Sequence, residues 1–404
     1  MREKVPVTVL TGYLGSGKTT LLNNILHGNH GKKIAVIVND MGEVNVDEAL
    51  IDRGGFKRTD EKLVSMANGC ICCTLREDLI VELNNIVTDG SIEHIVIESS
   101  GISEPIPIAQ SIVLPDNPLG IDLTNKLVLD AVVSIVDVSR FWDNFQSGEK
   151  IEQRKSQGDI DEEDRDIRDL LIDQIEFCNV LLLNKCDLLE NEKINKIEQL
   201  VRKLQPEAKI IRTVQAEIDL MNILDTKLFD MEKISYSAGW LKELELGFQD
   251  HVPETEEYGI SSFVYRSRLP FDANKFHVYA ERNFPKSVTR SKGFVWLAQH
   301  SDFSVLFETA GNNKSISPLT YWIATLSKQE RNQIIKLNPN LKESWHPLYG
   351  DRLTEIVFIG IDMDRELIHT QLDDCLVDEE NFDGGFFSKI SPYPWEKKFS
   401  IVGD

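Results

Sequence analysis

At 404 residues the chain exceeds the length over which one hydrophobic core keeps growing, so two domains are expected. Its 41% apolar and 27% charged residues exclude a fibre or a disordered tail. With 66 acidic against 44 basic residues the formal net charge is −22, which repels nucleic-acid phosphates and anionic bilayers, so neither nucleic acid nor membrane is an expected partner.

The opening residues run into a short apolar strand without a secretory apolar core, and nowhere do eighteen apolar residues follow one another. A cytoplasmic location is therefore expected. Thiols stay reduced there, and the six cysteines read as ligands, nucleophiles or core residues.

From Val5 to about Leu220, short β-branched runs alternate with amphipathic segments, the pattern of a parallel sheet wrapped by helices. The first pair is a strand over 5–11 and a helix over 18–26. They are joined by Gly12-Tyr13-Leu14-Gly15-Ser16-Gly17-Lys18-Thr19, followed by Thr20, which fits G-x-x-x-x-G-K-[ST]. In such a loop the backbone N–H groups curl around phosphates, Lys18 offers charge to the β- and γ-phosphates, and the Thr19 hydroxyl can ligate Mg²⁺.

A strand over 33–39 ends in Asn39-Asp40-Met41-Gly42-Glu43, which offers carboxylates. Further on, Cys70-Ile71-Cys72-Cys73 places three thiols in four positions. Thiolates suit Zn²⁺ and Cu(I), and three sulfurs leave one tetrahedral position for another ligand or a client. Glu43 is the favoured fourth ligand. A redox pair or buried apolar cysteines are the competing readings.

After a helix over 75–87, the strand over 94–99 carries Glu98 in His-Ile-Val-Ile-Glu-Ser-Ser-Gly, the Walker-B position. Glu98 would organise Mg²⁺ or its water, and the Gly101 N–H could sense a γ-phosphate. Beyond a strand over 131–137, the charged stretch 141–169 reads as a solvated helical insertion, with a helix over 164–175.

The strand over 180–184 ends in Asn184-Lys185-Cys186-Asp187. A carboxylate at Asp187 can accept from both guanine N1–H and the 2-amino group, which adenine does not offer, so GTP is favoured over ATP. Asn184 is expected on the N7/O6 side, with the Lys185 stem along the base. A helix over 193–204 and a strand over 209–213 complete this half.

A Gly/Pro/Glu-marked passage at 247–259 separates the halves. Period-2 runs in ISSFVYRSR, GFVWLA, SVLFE and EIVFIGI alternate with helical candidates at 271–282, 328–336 and 364–376. They predict a smaller α+β domain with a mostly antiparallel sheet. The acidic, aromatic residues 377–404 read as a loosely docked tail. His27 and His30 are explained by the C-terminal end of a helix, and Cys178, Cys186 and Cys375 by the core.

With P-loop, CxCC, E-x-x-G and N-K-x-D in this order, the chain resembles the CobW family of metal-handling GTPases, in its YciC (ZagA) zinc-chaperone branch. The resemblance runs through VIVNDMGEVNVD, NGCICCTLREDL, GISEPIP, DLLIDQIEFC and PETEEYGISSFVYRSRLPF to GDRLTEIVFIG. It implies a P-loop GTPase domain (1–225) with a mostly parallel sheet, a linker (226–258), a CobW C-terminal domain (259–377) and a tail (378–404). It further implies slow intrinsic GTP hydrolysis and delivery of zinc to apo-metalloprotein clients during metal limitation, with homo-oligomers possible. Cys72 and Glu43 match metal positions of the family. Val38 departs from it, standing where members often carry a metal-binding Glu.

The resulting expectation is a GTPase in which GTP–Mg²⁺ orders residues 40–73, the thiolates hold Zn²⁺, and hydrolysis loosens the segment for transfer. Two other readings are a zinc buffer or sensor in which turnover is incidental, and an inserter of cobalt or nickel into one enzyme.

Overall fold

The computed structural model describes residues 4–28, 30–39, 62–66, 74–115, 119–146, 167–230, 257–310, 313–337, 341, 345–378, 382–383 and 386–387. Asp40, Glu43, Cys70, Cys72 and Cys73 lie outside these residues, as do most of the 141–169 stretch and the passage 247–256. The chain divides into two compact units, Met1–Gly239 and Trp240–Asp404.

In the first unit, β1 (Val5–Thr11), β2 (Ile34–Asn39), β3 (Lys62–Met66), β4 (His94–Glu98), β5 (Leu127–Asp137), β6 (Val180–Asn184) and β7 (Lys209–Arg212) form one sheet. Its order is β3-β2-β4-β1-β5-β6-β7, and every pairing is parallel. The helices are α1 (Lys18–His27), α2 (Thr74–Asp89), α3 (Pro105–Val113), α4 (Phe141–Gln146), α5 (Ile167–Glu176) and α6 (Asn191–Leu204). Central strands are apolar on both faces because helices cover both: β4 and β6 are buried at every residue. Pro6 is tolerated because it lies at the start of β1, before the pairing with β4 begins at Val7. In α6, Ile194, Ile197, Leu200, Val201 and Leu204 make one buried stripe, while its charged residues face outward.

The charged stretch is not wholly a solvated insertion, because its two ends are core helices. Phe141 and Phe145 of α4 are buried and stacked, with Arg168 of α5 over the Phe145 ring.

His94 begins β4 and is fully buried. Thr8 Oγ1 gives its single hydrogen to the Ile223 carbonyl, so His94 Nε2 must be the donor to Thr8 Oγ1 at 2.9 Å. That leaves Nδ1 without hydrogen, 3.6 Å from an Asp225 carboxylate that also pairs with Lys32. Burial pushes the His94 pKa down from 6.5 to about 4, against the pull of Asp130 and Asp225. Between those two pH values the unfolded chain binds the extra proton, so stability is complete above pH 6.5 and is lost as pH falls. Urea unfolding is expected to show about 2 kcal/mol less stability at pH 5 than at pH 7 from this group. His94→Gln, which keeps a donor for Thr8, should remove that part of the slope; an unchanged slope would reject the assignment.

The second unit is a five-stranded antiparallel sheet, β11-β10-β9-β12-β8. Its strands are β8 (Ile260–Ser267), β9 (Val288–Leu297), β10 (His300–Ala310), β11 (Asn313–Tyr321) and β12 (Thr354–Ile361). Helices α7 (Ala273–Val278), α8 (Lys328–Leu337) and α9 (Arg365–Asp373) accompany it. Phe263, Phe271, Phe276, Tyr279, Phe307, Phe358, Ile368 and Leu372 share one core in which strand and helix residues meet. Asp272 and Asp364 cap α7 and α9 by accepting from backbone N–H groups of the first turn. Within β9, a Cβ on Gly293 would stand 2.0 Å from the Glu355 carbonyl, so only glycine lets β12 pass that closely.

Candidate nucleotide site

β1 ends at Thr11 and α1 begins at Lys18, so the P-loop joins the carboxyl edge of the sheet to a helix N-terminus. The positive end of α1 and its first N–H groups therefore face the place where phosphates would lie. The loop needs its glycines. Gly12 has φ +142°, and a Cβ there would sit 2.3 Å from the Ile135 carbonyl of β5. Gly17 has φ +113°, and its Cβ would sit 2.4 Å from Asn184 Nδ2. Gly15, with φ +76°, is exposed at the tip.

Lys18 is buried and donates from Nζ to the Gly12 carbonyl at 2.7 Å, which folds the side chain back over the loop. Thr19 Oγ1 donates to Glu98 Oε1 at 3.4 Å, and Glu98 itself is only 2% exposed. A hydroxyl and a buried carboxylate thus meet beside the helix N-terminus, a donor set that suits a hard divalent cation. Thr20 points to solvent. Gly101 follows β4 and packs on the P-loop: a Cβ there would be 2.6 Å from Leu14 Cδ2 and 2.9 Å from Leu14 N. Tyr13 and Ser16 complete the loop, with Ser16 N donating to the Tyr13 carbonyl.

On the other side, Asn184 at the end of β6 is buried and engaged at both amide atoms. Nδ2 donates to the Ser16 carbonyl at 2.9 Å; Oδ1 accepts from Ala216 N at 2.9 Å and Thr213 Oγ1 at 3.1 Å. It clasps the P-loop to the turn after β7, whose residues Gln215 and Ala216 both have φ +52°. Asn24 of α1 reinforces the clasp by donating to the carbonyls of the same two residues. Sequence reading did not single out residues 213–216. Lys185 adopts φ +64° and pairs with Asp137 at 2.6 Å, and Asp187 projects to solvent from a short 3₁₀ turn, Cys186–Leu188.

Other candidate ligands are accounted for without metal. His27 Nδ1 donates to the Asn23 carbonyl at 2.8 Å, and His30 Nδ1 accepts from Lys32 N. Cys178 and Cys375 are buried, and burial raises both thiols, Cys375 up to about 12. Cys186 differs from the core thiol expected: it is only partly buried, on the turn before Asp187, with Sγ donating to the Leu183 carbonyl. Val38 is packed in the apolar core, so this position contributes no ligand. Among the described residues no group of three or more His, Cys, Asp or Glu side chains could hold a metal ion. No described helix is long and apolar enough to cross a membrane.

The parallel sheet, the P-loop on α1, Glu98 on the adjacent strand and the Asn184–Asp187 turn define a P-loop GTPase. Residues 6–212 match the model of the CobW/HypB/UreG nucleotide-binding domain, and residues 260–376 that of the cobalamin synthesis protein cobW C-terminal domain. The chain belongs to the CobW/HypB/UreG family. It is 44% identical to zinc-regulated GTPase metalloprotein activator 1 of Dictyostelium discoideum over 93% of this chain and 80% of that protein. It is 30% identical to zinc chaperone YjiA of Escherichia coli over 72% of this chain and 82% of that one. A crystal structure of Zn(II)-bound YjiA GTPase aligns with 93% of this chain and all of its own, at 21% identity and a TM-score of 0.43.

Proposed function

We propose that this protein is a cytosolic zinc metallochaperone that uses GTP binding and hydrolysis to control transfer of Zn²⁺ to client metalloproteins. The nucleotide half rests on the geometry above. Lys18 and the first N–H groups of α1 would take the β- and γ-phosphates, and Asp187 would accept from the guanine edge. Asn184 Nδ2 carries two hydrogens; one holds the Ser16 carbonyl, which leaves the second for N7. Thr19 and Glu98 would hold Mg²⁺, which supplies charge neutralisation at the β,γ-bridge. Gly101, against Leu14, is the proposed sensor of the γ-phosphate.

The metal half rests on sheet topology together with the zinc named in its relatives. Parallel strands share a carboxyl edge, so β1, β4, β2 and β3 bring the start of the P-loop, Glu98, Asn39 and Met66 to one side. At about 4.8 Å per strand, the ends of β3 and β1 are roughly 14 Å apart. Of the proposed ligands, Glu43 follows β2 in sequence and Cys70, Cys72 and Cys73 follow β3. Zinc, as cargo, would be held where a γ-phosphate can alter its grip.

Zinc titration with and without a non-hydrolysable GTP analogue tests the coupling. The expected result is a change of about tenfold or more in zinc affinity between the two states. Cys72→Ala should lower zinc stoichiometry while leaving GTP turnover of the zinc-free protein in place. Equal zinc affinity in both states would reject the coupling, and full stoichiometry in Cys72→Ala would reject the site.

A further inference from the structure

We infer that Asp137 is a positioning residue for guanine recognition, acting through Lys185; the inference rests on the nucleotide site proposed above. Asp137 is the last residue of β5 and lies level with Asn184 of β6 in the strand register. Its side chain is almost completely buried, and both oxygens are used. Oδ1 accepts from Ser139 N at 2.9 Å and Ser139 Oγ at 2.6 Å, while Oδ2 accepts from Lys185 Nζ at 2.6 Å. Three of its roughly four acceptor sites are thus taken up inside the protein. What it does is hold a lysine.

Lys185 stands two residues before Asp187, in a left-handed backbone conformation that a lysine rarely adopts. A solvated lysine in an ordinary loop would sample many rotamers and reach no fixed place. Here the strained backbone sets the direction in which the side chain leaves, and the buried acid fixes its far end. The methylenes between these two anchors form a fixed apolar ledge next to Asp187, suited to the face of a planar base. Asp137 also neutralises the ammonium, so Lys185 contributes a surface for the base and adds no net charge for the phosphates. The interaction therefore belongs to the base end of the nucleotide, and its loss should not distinguish GDP from GTP.

Equilibrium titration with a fluorescent GDP and a fluorescent non-hydrolysable GTP tests this. Asp137→Asn should weaken both by the same factor, about tenfold, the cost of one charge-assisted hydrogen bond. KM for GTP should rise alongside while kcat stays within twofold. Lys185→Met keeps part of the stem but cannot be anchored, and should give a similar loss. Combining it with Asp137→Asn should add nothing further, because both changes remove the same contact. A merely structural Asp137 would instead lower kcat and unfolding midpoint together, and its effect would multiply with that of Lys185→Met. Unchanged affinity in Asp137→Asn, or additive losses in the double variant, overturns the inference. Should Asp137→Asn fail to fold, Lys185→Met alone decides, since its side chain is one-third exposed: full affinity in that variant overturns the inference. Failure of the wild-type chain to bind guanine nucleotide would instead remove the nucleotide-site reading itself.

Discussion

Lys18→Ala is expected to reduce GTP turnover by on the order of 10²- to 10³-fold, the loss that follows removal of one preorganised donor from developing charge. The reason lies in where the ammonium is stored. Lys18 is buried at the first position of α1 and donates back to the Gly12 carbonyl, so it is already held over the loop that would wrap the phosphates. In that position its charge and the α1 N-terminus would act on the same phosphate oxygens, and an exposed lysine would first have to order a flexible chain. Alanine is a good helix former and leaves the fold of α1 intact. Phosphate release is the direct measurement, with zinc binding by the nucleotide-free variant as the control, expected to be largely unchanged. Turnover at the wild-type rate would mean that hydrolysis occurs elsewhere on the chain.

Asp187→Asn is expected to exchange one base preference for another. The carboxylate can accept from N1–H and from the 2-amino group of guanine. Asparagine turns one acceptor into an N–H donor and sets it against the 2-amino group. Loss of a charge-assisted bond together with a donor facing a donor should weaken GTP by about 10²-fold or more. Xanthine carries a carbonyl at C2, which the new N–H can satisfy, so xanthosine triphosphate should gain on GTP. Competition between the two nucleotides gives the answer. Because Asp187 is exposed on a short turn, the substitution should leave the free energy of unfolding within about 0.5 kcal/mol of wild type. Equal losses for both nucleotides would mean that Asp187 does not read the base.

Strands and helices with strong periodicity were legible in the residues. β1 and β6 agree with the runs over 5–11 and 180–184, because both are interior strands that are mostly apolar and buried. Elements with mixed signals were missed. α3 carries Pro105 and Pro107, which read as breakers, yet both fall in a first turn where no backbone N–H is needed. β11 carries Pro318 and several polar residues, and is tolerated as an edge strand pairing only with β10. β3 is an edge strand whose sequence, Lys-Leu-Val-Ser-Met, holds only a two-residue aliphatic run, so no strand pattern stands out. At the site, residue types pointed to the P-loop and to the Asn184–Asp187 turn. The clasp made by Asn184 could not be read, since its partners lie 168 and 32 residues away in sequence. The Lys185–Asp137 pair was hidden for the same reason.

The clasp has a thermodynamic consequence. Asn184 ties the P-loop, the turn after β6 and the loop after β7 into one hydrogen-bonded block, so nucleotide binding at that half would carry little ordering entropy. A guanine nucleotide would find the same rigid cradle whether two phosphates or three are attached. On the other side of β1, Gly101 meets Leu14 and Glu98 meets Thr19, so a response to a third phosphate would fall on the β4 flank. The nucleotide half would in this sense be one-sided: a fixed jaw to hold the ligand, and an opposing flank to register its length.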